Sequence, residues 1–113
     1  MDKQLTELKQ FNGSNEHYFN VFGFNITDGV KYVMDNGYSW LITDFLAVAK
    51  FNDAIKNEPF IAVRLKLNGT SGEMIVADGN NHQLYTQKYG YTDAKKELLL
   101  FFENQVLCLD SER

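Results

Sequence analysis

Leu5, Leu8 and Phe11 recur at three-residue spacing with polar residues between them, which predicts a short amphipathic helix over residues 2–11. Asn12-Gly13 supplies a left-handed residue to end it. From Ser14 to Phe24 the pattern changes. His17, Tyr18, Phe19, Val21, Phe22 and Phe24 are dense and β-prone, and Gly23 interrupts them, so this stretch reads as extended chain. Thr27 or Asp28 then caps a second helix carrying Val30, Tyr32, Val33 and Met34, which Gly37 closes. Ser39 opens a third. Its Trp40, Leu41, Ile42, Phe45, Leu46, Val48 and Ala49 occupy much of the circumference, so this helix is expected to be central, buried on more than one side, with Trp40 inside. It ends near Phe51-Asn52, and residues 53–58 add a turn before Pro59.

At Phe60 the period drops from 3.6 to 2. Ile61, Val63, Leu65 and Leu67 share one face and Arg64 and Lys66 the other, the mark of a half-buried strand. Asn68–Gly72 is a loop by composition. Glu73–Ala77 is a second strand and Leu84–Tyr89 a third, with Tyr85, Gln87 and Tyr89 on one face. Asp78-Gly79-Asn80-Asn81 between them reads as a hairpin turn in which Gly79 takes positive φ. The last stretch supports two readings. Ala94–Leu98 are good helix formers. Alternatively, Leu98–Phe102 and Val106–Leu109 flank a Glu103-Asn104 turn, and a hairpin there buries both apolar runs; the pattern favours the hairpin.

Helices first and strands afterwards predict an α+β fold: N-terminal helices packed on a mainly antiparallel sheet of four or five strands. With 113 residues, two separate cores would each be too small, so residues 1–113 are expected to form a single domain. A hydrophobic share of 44% against 23% charged excludes a disordered chain. The N-terminus lacks a basic stretch followed by an apolar one, and the longest apolar run, Leu98–Phe102, is far short of a membrane span. The one cysteine, Cys108, cannot form an internal disulfide. These features together predict a cytoplasmic protein that does not enter membranes.

Candidate chemistry is sparse. His17 and His82 are far apart and lack metal-ligand spacing, so no metal and no cofactor is expected. Cys108 lies among Val106, Leu107 and Leu109, which predicts a packed and inert thiol rather than a nucleophile. Asp28, Asp78 and Asp93 each adjoin Thr or Gly. They are weak candidates for an acid site, and caps and turns explain them more simply. Tyr85 and Tyr89, with Arg64 and Lys66 on a nearby strand, resemble a single-stranded nucleic acid platform. A net charge of −4 opposes that partner. Protein contact suits the same rings better.

Nine Phe, six Tyr and one Trp are a heavy load for a small interior. Tyr18, Phe22 and Phe24 therefore join Tyr85 and Tyr89 as candidate contact residues. A two-fold homodimer using Tyr18–Phe24 and a sheet face is expected. A non-catalytic protein-binding module follows, with a small Asp-based enzyme or a single-stranded nucleic acid binder as alternatives.

The order of Leu8, Phe11-Asn12-Gly13, Tyr18, Thr27-Asp28-Gly29-Val30, Tyr38-Ser39-Trp40-Leu41, Asp78-Gly79-Asn80, Gln87, Tyr91-Thr92-Asp93 and Glu103-Asn104 resembles a small uncharacterised bacterial family. Its domain of unknown function is often met on plasmids and other mobile elements. Where members of that family continue Thr-Asp with Phe-Pro, this chain has Ala94-Lys95. The resemblance implies an α+β domain and a mobile-element setting. It implies no activity.

Overall fold

A computed structural model describes residues 18–112. The helix expected over residues 2–11, its Asn12-Gly13 end and His17 lie outside them. The described chain opens with a hairpin of β1 (Tyr18–Val21) and β2 (Phe24–Thr27). Two helices follow, α1 (Asp28–Val33) and α2 (Ser39–Phe51), joined through a kinked segment, Met34–Tyr38, in which Asn36 and Gly37 leave the helical backbone. A single turn, α3 (Asp53–Lys56), leads into β3 (Phe60–Asn68), β4 (Ser71–Asp78), β5 (Gln83–Tyr89), β6 (Leu98–Glu103) and β7 (Val106–Leu109).

The fold expectation is corrected in two respects. The described elements begin with strands, not helices. Among the described residues the sheet has seven strands in the order β1-β2-β7-β6-β3-β4-β5, and it is mixed because β2 runs parallel to β7. The physical reason is that β1 and β2 are only four residues each and find their third strand at the far end of the chain. Asn25 pairs with Val106 and Ile26 with Leu107, a contact no local period can announce.

The helices cover one face of this sheet. Ile61, Val63 and Leu65 of β3, Met74 and Val76 of β4, Leu100 of β6 and Leu107 of β7 form one buried cluster with Val30 and Val33 of α1 and Leu41, Ile42, Phe45 and Leu46 of α2. Alternate strand positions all point to this side, as the pleat requires. Phe45 meets Phe102 edge-on at 5.3 Å between ring centres, which joins α2 to β6. α2 is buried along one side only. Ala47 is exposed and Phe51 retains 79% of its surface. Trp40 is half-buried, not inside, and its Nε1 donates to the Gly37 carbonyl at 2.8 Å.

Turn chemistry follows the sequence in most places. Thr27 caps α1 through Val30 N–H, and Asn52 caps α3 through Ala54 and Ile55 N–H. Gly37 takes φ 105° at the break between α1 and α2. Residues 93–97 are irregular and β6–β7 form the hairpin, with Asn104 and Gln105 both at positive φ. The β4–β5 turn corrects one detail: Asn81, not Gly79, carries the positive φ. Cys108 is half-buried and faces away from the side on which Leu107 and Leu109 are buried.

Candidate functional site

The sheet has two edges, and each carries aromatic rings. At one edge β1 and β2 are joined by the two-residue turn Phe22-Gly23, since Val21 pairs directly with Phe24. Both turn residues have positive φ, 54° at Phe22 and 87° at Gly23. Two-residue turns of this kind match strand twist, and Asn-Gly fills them with least strain. A phenylalanine there is an outlier. Tyr18 is 52% exposed, Phe19 40% and Phe22 50%, so the hairpin presents three rings to solvent. Phe24 does not join them. It turns inward and meets Phe102 edge-on at 5.3 Å.

At the opposite edge Tyr85, Gln87 and Tyr89 of β5 face the helices. Tyr89 Oη donates to Asp44 Oδ2 at 2.9 Å, Gln87 Nε2 donates to the same oxygen at 3.3 Å, and Tyr85 Oη donates to Gln87 Oε1 at 3.1 Å. Burial, then the donated hydrogen bond and the charge of Asp44, push the Tyr89 phenol above its usual range. The Trp40 ring meets Tyr89 edge-on, with centres 4.8 Å apart and planes at 73°. Beyond them Tyr91, Thr92 and Asp93 complete a cleft of about 300 Å³. The loop that carries these three is pinned twice. Thr92 N–H donates to the Thr70 carbonyl at 2.7 Å, and Tyr38 Oη receives Lys96 N–H at 3.2 Å and donates to the Lys96 carbonyl at 3.1 Å.

The contact residues expected from sequence therefore divide. Tyr18 and Phe22 stand at one edge of the sheet, Tyr85 and Tyr89 at the other, with Phe24 half-buried against Phe102 of β6. Tyr85 and Tyr89 also lie on the opposite face from Arg64 and Lys66, which align with Ile75 and Glu73, so rings and cations do not share a platform. The three aspartates do not converge. Asp78 ends β4, while Asp93 lies beside the strand's other end near Thr70, roughly 20 Å away along the strand. Asp28 opens α1 beyond β2, four places across the sheet from β4.

Asp78 serves the turn. Its Oδ1 accepts from Asn80 N–H at 2.8 Å and His82 N–H at 2.9 Å, and His82 Nδ1 lies 3.1 Å from Oδ2. The His82 backbone bond, above the other contributions, holds its carboxyl below the usual range. Among the described residues no group of three or more His, Cys, Asp or Glu is placed to hold a metal ion.

The chain belongs to DUF6876, a family of unknown function, which it matches over residues 2–113. A family of unknown function is what the order of its segments led one to expect. No curated protein and no solved structure matches the DUF6876 chain. Its function has to be argued from its own geometry. A second cavity, about 630 Å³, lies between the end of α2, α3 and the β6–β7 turn, walled by Phe24, Ile55, Pro59 and Phe102. Lys50 and Lys56 on its rim are balanced by Glu58 and Glu103, so it favours no charge.

Sequence reasoning missed Asp44, Tyr91 and the role of Trp40. Asp44 had a signal, as the carboxylate interrupting the apolar run Trp40–Ala49. Tyr91 had none, since a single tyrosine beside Thr92 and Asp93 fits no periodic pattern.

Proposed function

We propose that this domain is a non-catalytic protein-binding module whose principal contact is the β1–β2 hairpin. The observation that carries this is Phe22. Left-handed backbone at a bulky residue costs roughly 1–3 kcal/mol where glycine or asparagine would cost little. The ring gains little packing in return, since half of it stays exposed. Neither local preference nor burial accounts for a phenylalanine at this tip, whereas contact with another protein does. Tyr18 and Phe19 on the same hairpin widen the surface, and β1, the edge strand among the described residues, is where a partner's backbone can pair.

The partner is a protein, and a second copy of the chain is one form of it. The mobile-element setting implied by the family resemblance makes a host protein the other. No helix among the described residues is long and apolar enough to cross a membrane.

The test is Phe22→Ser. Affinity capture from the native host and light scattering across micromolar concentrations should both be run on wild type and variant. A specific partner, or a dimer mass, that disappears in a folded Phe22→Ser variant supports the proposal. A variant that folds and keeps every partner and the same mass refutes it.

A further inference from the structure

We propose that the cleft formed by Trp40, Tyr89, Tyr91, Thr92 and Asp93 receives a cationic side chain, lysine or arginine, from a protein partner. It is a second contact, at the sheet edge opposite the hairpin. The argument starts from the rings. Trp40 and Tyr89 stand nearly at right angles, 73°, with centres 4.8 Å apart, and Tyr38 stacks on Trp40 at 6.3 Å, so the cleft is bounded by the parts of the Trp40 and Tyr89 rings that these contacts leave uncovered. Tyr91 makes a third wall and is 73% exposed, though it sits on a loop pinned at Thr92 and Lys96. An aromatic corner with one open side is the arrangement that attracts a cation through the electron-rich ring faces, and tryptophan is the strongest of the three ring types for this.

Two carboxylates point the same way. Asp93 lies in the cleft wall. Asp44 stands behind Tyr89, accepting the phenol proton at 2.9 Å and so fixing the orientation of that ring. A phenol that donates to a carboxylate keeps more electron density on its ring, which favours a cation over its face. The cleft holds about 300 Å³, room for an ammonium or guanidinium head and the end of its stem. The net charge of −4 assists the approach of a basic segment. The cleft is preformed, because Thr92 N–H to Thr70 and Tyr38 Oη to Lys96 hold its loop in place before anything binds.

The proposal rests on the protein-contact reading only in taking the cation from a partner's side chain. Trp40 is the one tryptophan, so its fluorescence reports on the cleft directly. The titrants are a short lysine- and arginine-containing peptide, the same peptide with glutamine at those positions, and tetramethylammonium chloride, all at constant ionic strength. Saturable change is expected with the basic peptide and none with the glutamine peptide. Lys95 and Lys96 stand beside Asp93 in the chain, so the ring rather than net charge is the decisive variable. Tyr91→Ala keeps every charge, and it should weaken the basic peptide about threefold to thirtyfold. Asp93→Asn should weaken it as well.

Phe22→Ser should leave the titration unchanged, which separates failure of the cleft from failure of the hairpin. A basic peptide that produces no saturable change, or binds Tyr91→Ala as well as wild type, overturns the proposal. Binding of tetramethylammonium without binding of the peptide also overturns it, since the occupant would then be a free ammonium compound.

Discussion

Alanine at Gly29 should displace Glu112, which lies in a single turn, Asp110–Glu112, after β7. A Cβ built there would stand 2.7 Å from Leu109 Cδ1, 2.7 Å from Glu112 Cδ and 2.8 Å from its Oε1. Two side-chain ends can move, but Glu112 moves only by giving up its bonds. Its carboxylate accepts from Thr27 Oγ1 at 2.5 Å, Leu109 N–H at 2.8 Å and Gly29 N–H at 3.1 Å, all buried. Each hydrogen bond to a charged group contributes about 1.5–3 kcal/mol, and a buried donor left without its acceptor loses a comparable amount. Water reaching the start of α1 recovers part of this. Glu112→Ala should therefore cost about 2–4 kcal/mol. Gly29→Ala loses the same bonds but gains up to about 1 kcal/mol of helix propensity, leaving a net cost of about 1–3 kcal/mol. The two are not independent. With Glu112 already gone, alanine at 29 has only the Leu109 methyl to push aside. The double variant should then be more stable than the sum of the singles by about 1 kcal/mol or more. Urea unfolding followed by far-ultraviolet circular dichroism and Trp40 fluorescence gives all four values. Additive costs, or a Gly29→Ala variant more stable than wild type, would refute the coupling and with it the placement of Glu112 against α1.

Three other outcomes are expected. Phe22→Asn should raise stability by about 0.5–1 kcal/mol, because Asn-Gly suits this turn, while it weakens partner capture; thermal melts and pull-downs read the two effects separately. Gly79→Ala should change the urea midpoint by less than about 0.5 kcal/mol equivalent, since a Cβ there meets Phe60 Cδ2 at an ordinary 3.5 Å and no positive φ is required. Acid should loosen the β4–β5 turn. The folded pKa of Asp78 lies below its ordinary 3.8, so its support is complete above that value and is lost as pH falls through the folded pKa. Amide exchange at Asn80 and His82 should quicken over that range in wild type, and already be quick at neutral pH in Asp78→Ala.

Much of the second half of the fold was legible because its signals are local. Ile61, Val63 and Leu65 alternate with polar neighbours, and β3 follows that alternation along its length. Asp78 announces a turn because its carboxylate can bond the backbone just beyond it, as it does at Asn80 and His82. The hairpin of β6 and β7 could be chosen over a helix because Leu98–Phe102 and Val106–Leu109 each need burial and only a sharp turn buries both. The errors have a common cause in distance. Ser14–Phe24 read as extended chain, but nothing near it said that the strand would run on to Thr27 or that Ile26 would lie beside Leu107. Gly79 was credited with a φ that Asn81 takes, since a longer turn moves the strained position along the chain.

The candidate site was harder to read than the fold for the same reason, carried one step further. Trp40 belongs by its spacing to the apolar face of α2, and every local rule sends it inward. It stays half-buried because it opens the helix next to the Gly37 break, where its Nε1 is held by the Gly37 carbonyl. The ring is thereby left at the sheet edge, where Tyr89 and Tyr91 arrive about fifty residues later in the chain. Phe22 is the converse case. Its sequence neighbours are all β-prone, so an aromatic there looked like one more strand residue. Only the register, Val21 opposite Phe24, shows that Phe22 occupies a turn at positive φ instead. In both places the informative feature is a residue whose position contradicts its own preference. A core-seeking tryptophan is held at an edge, and a β-favouring phenylalanine is bent into a left-handed turn. Sequences satisfy local preference where stability alone is at stake, so such departures are where contact with another molecule is best sought.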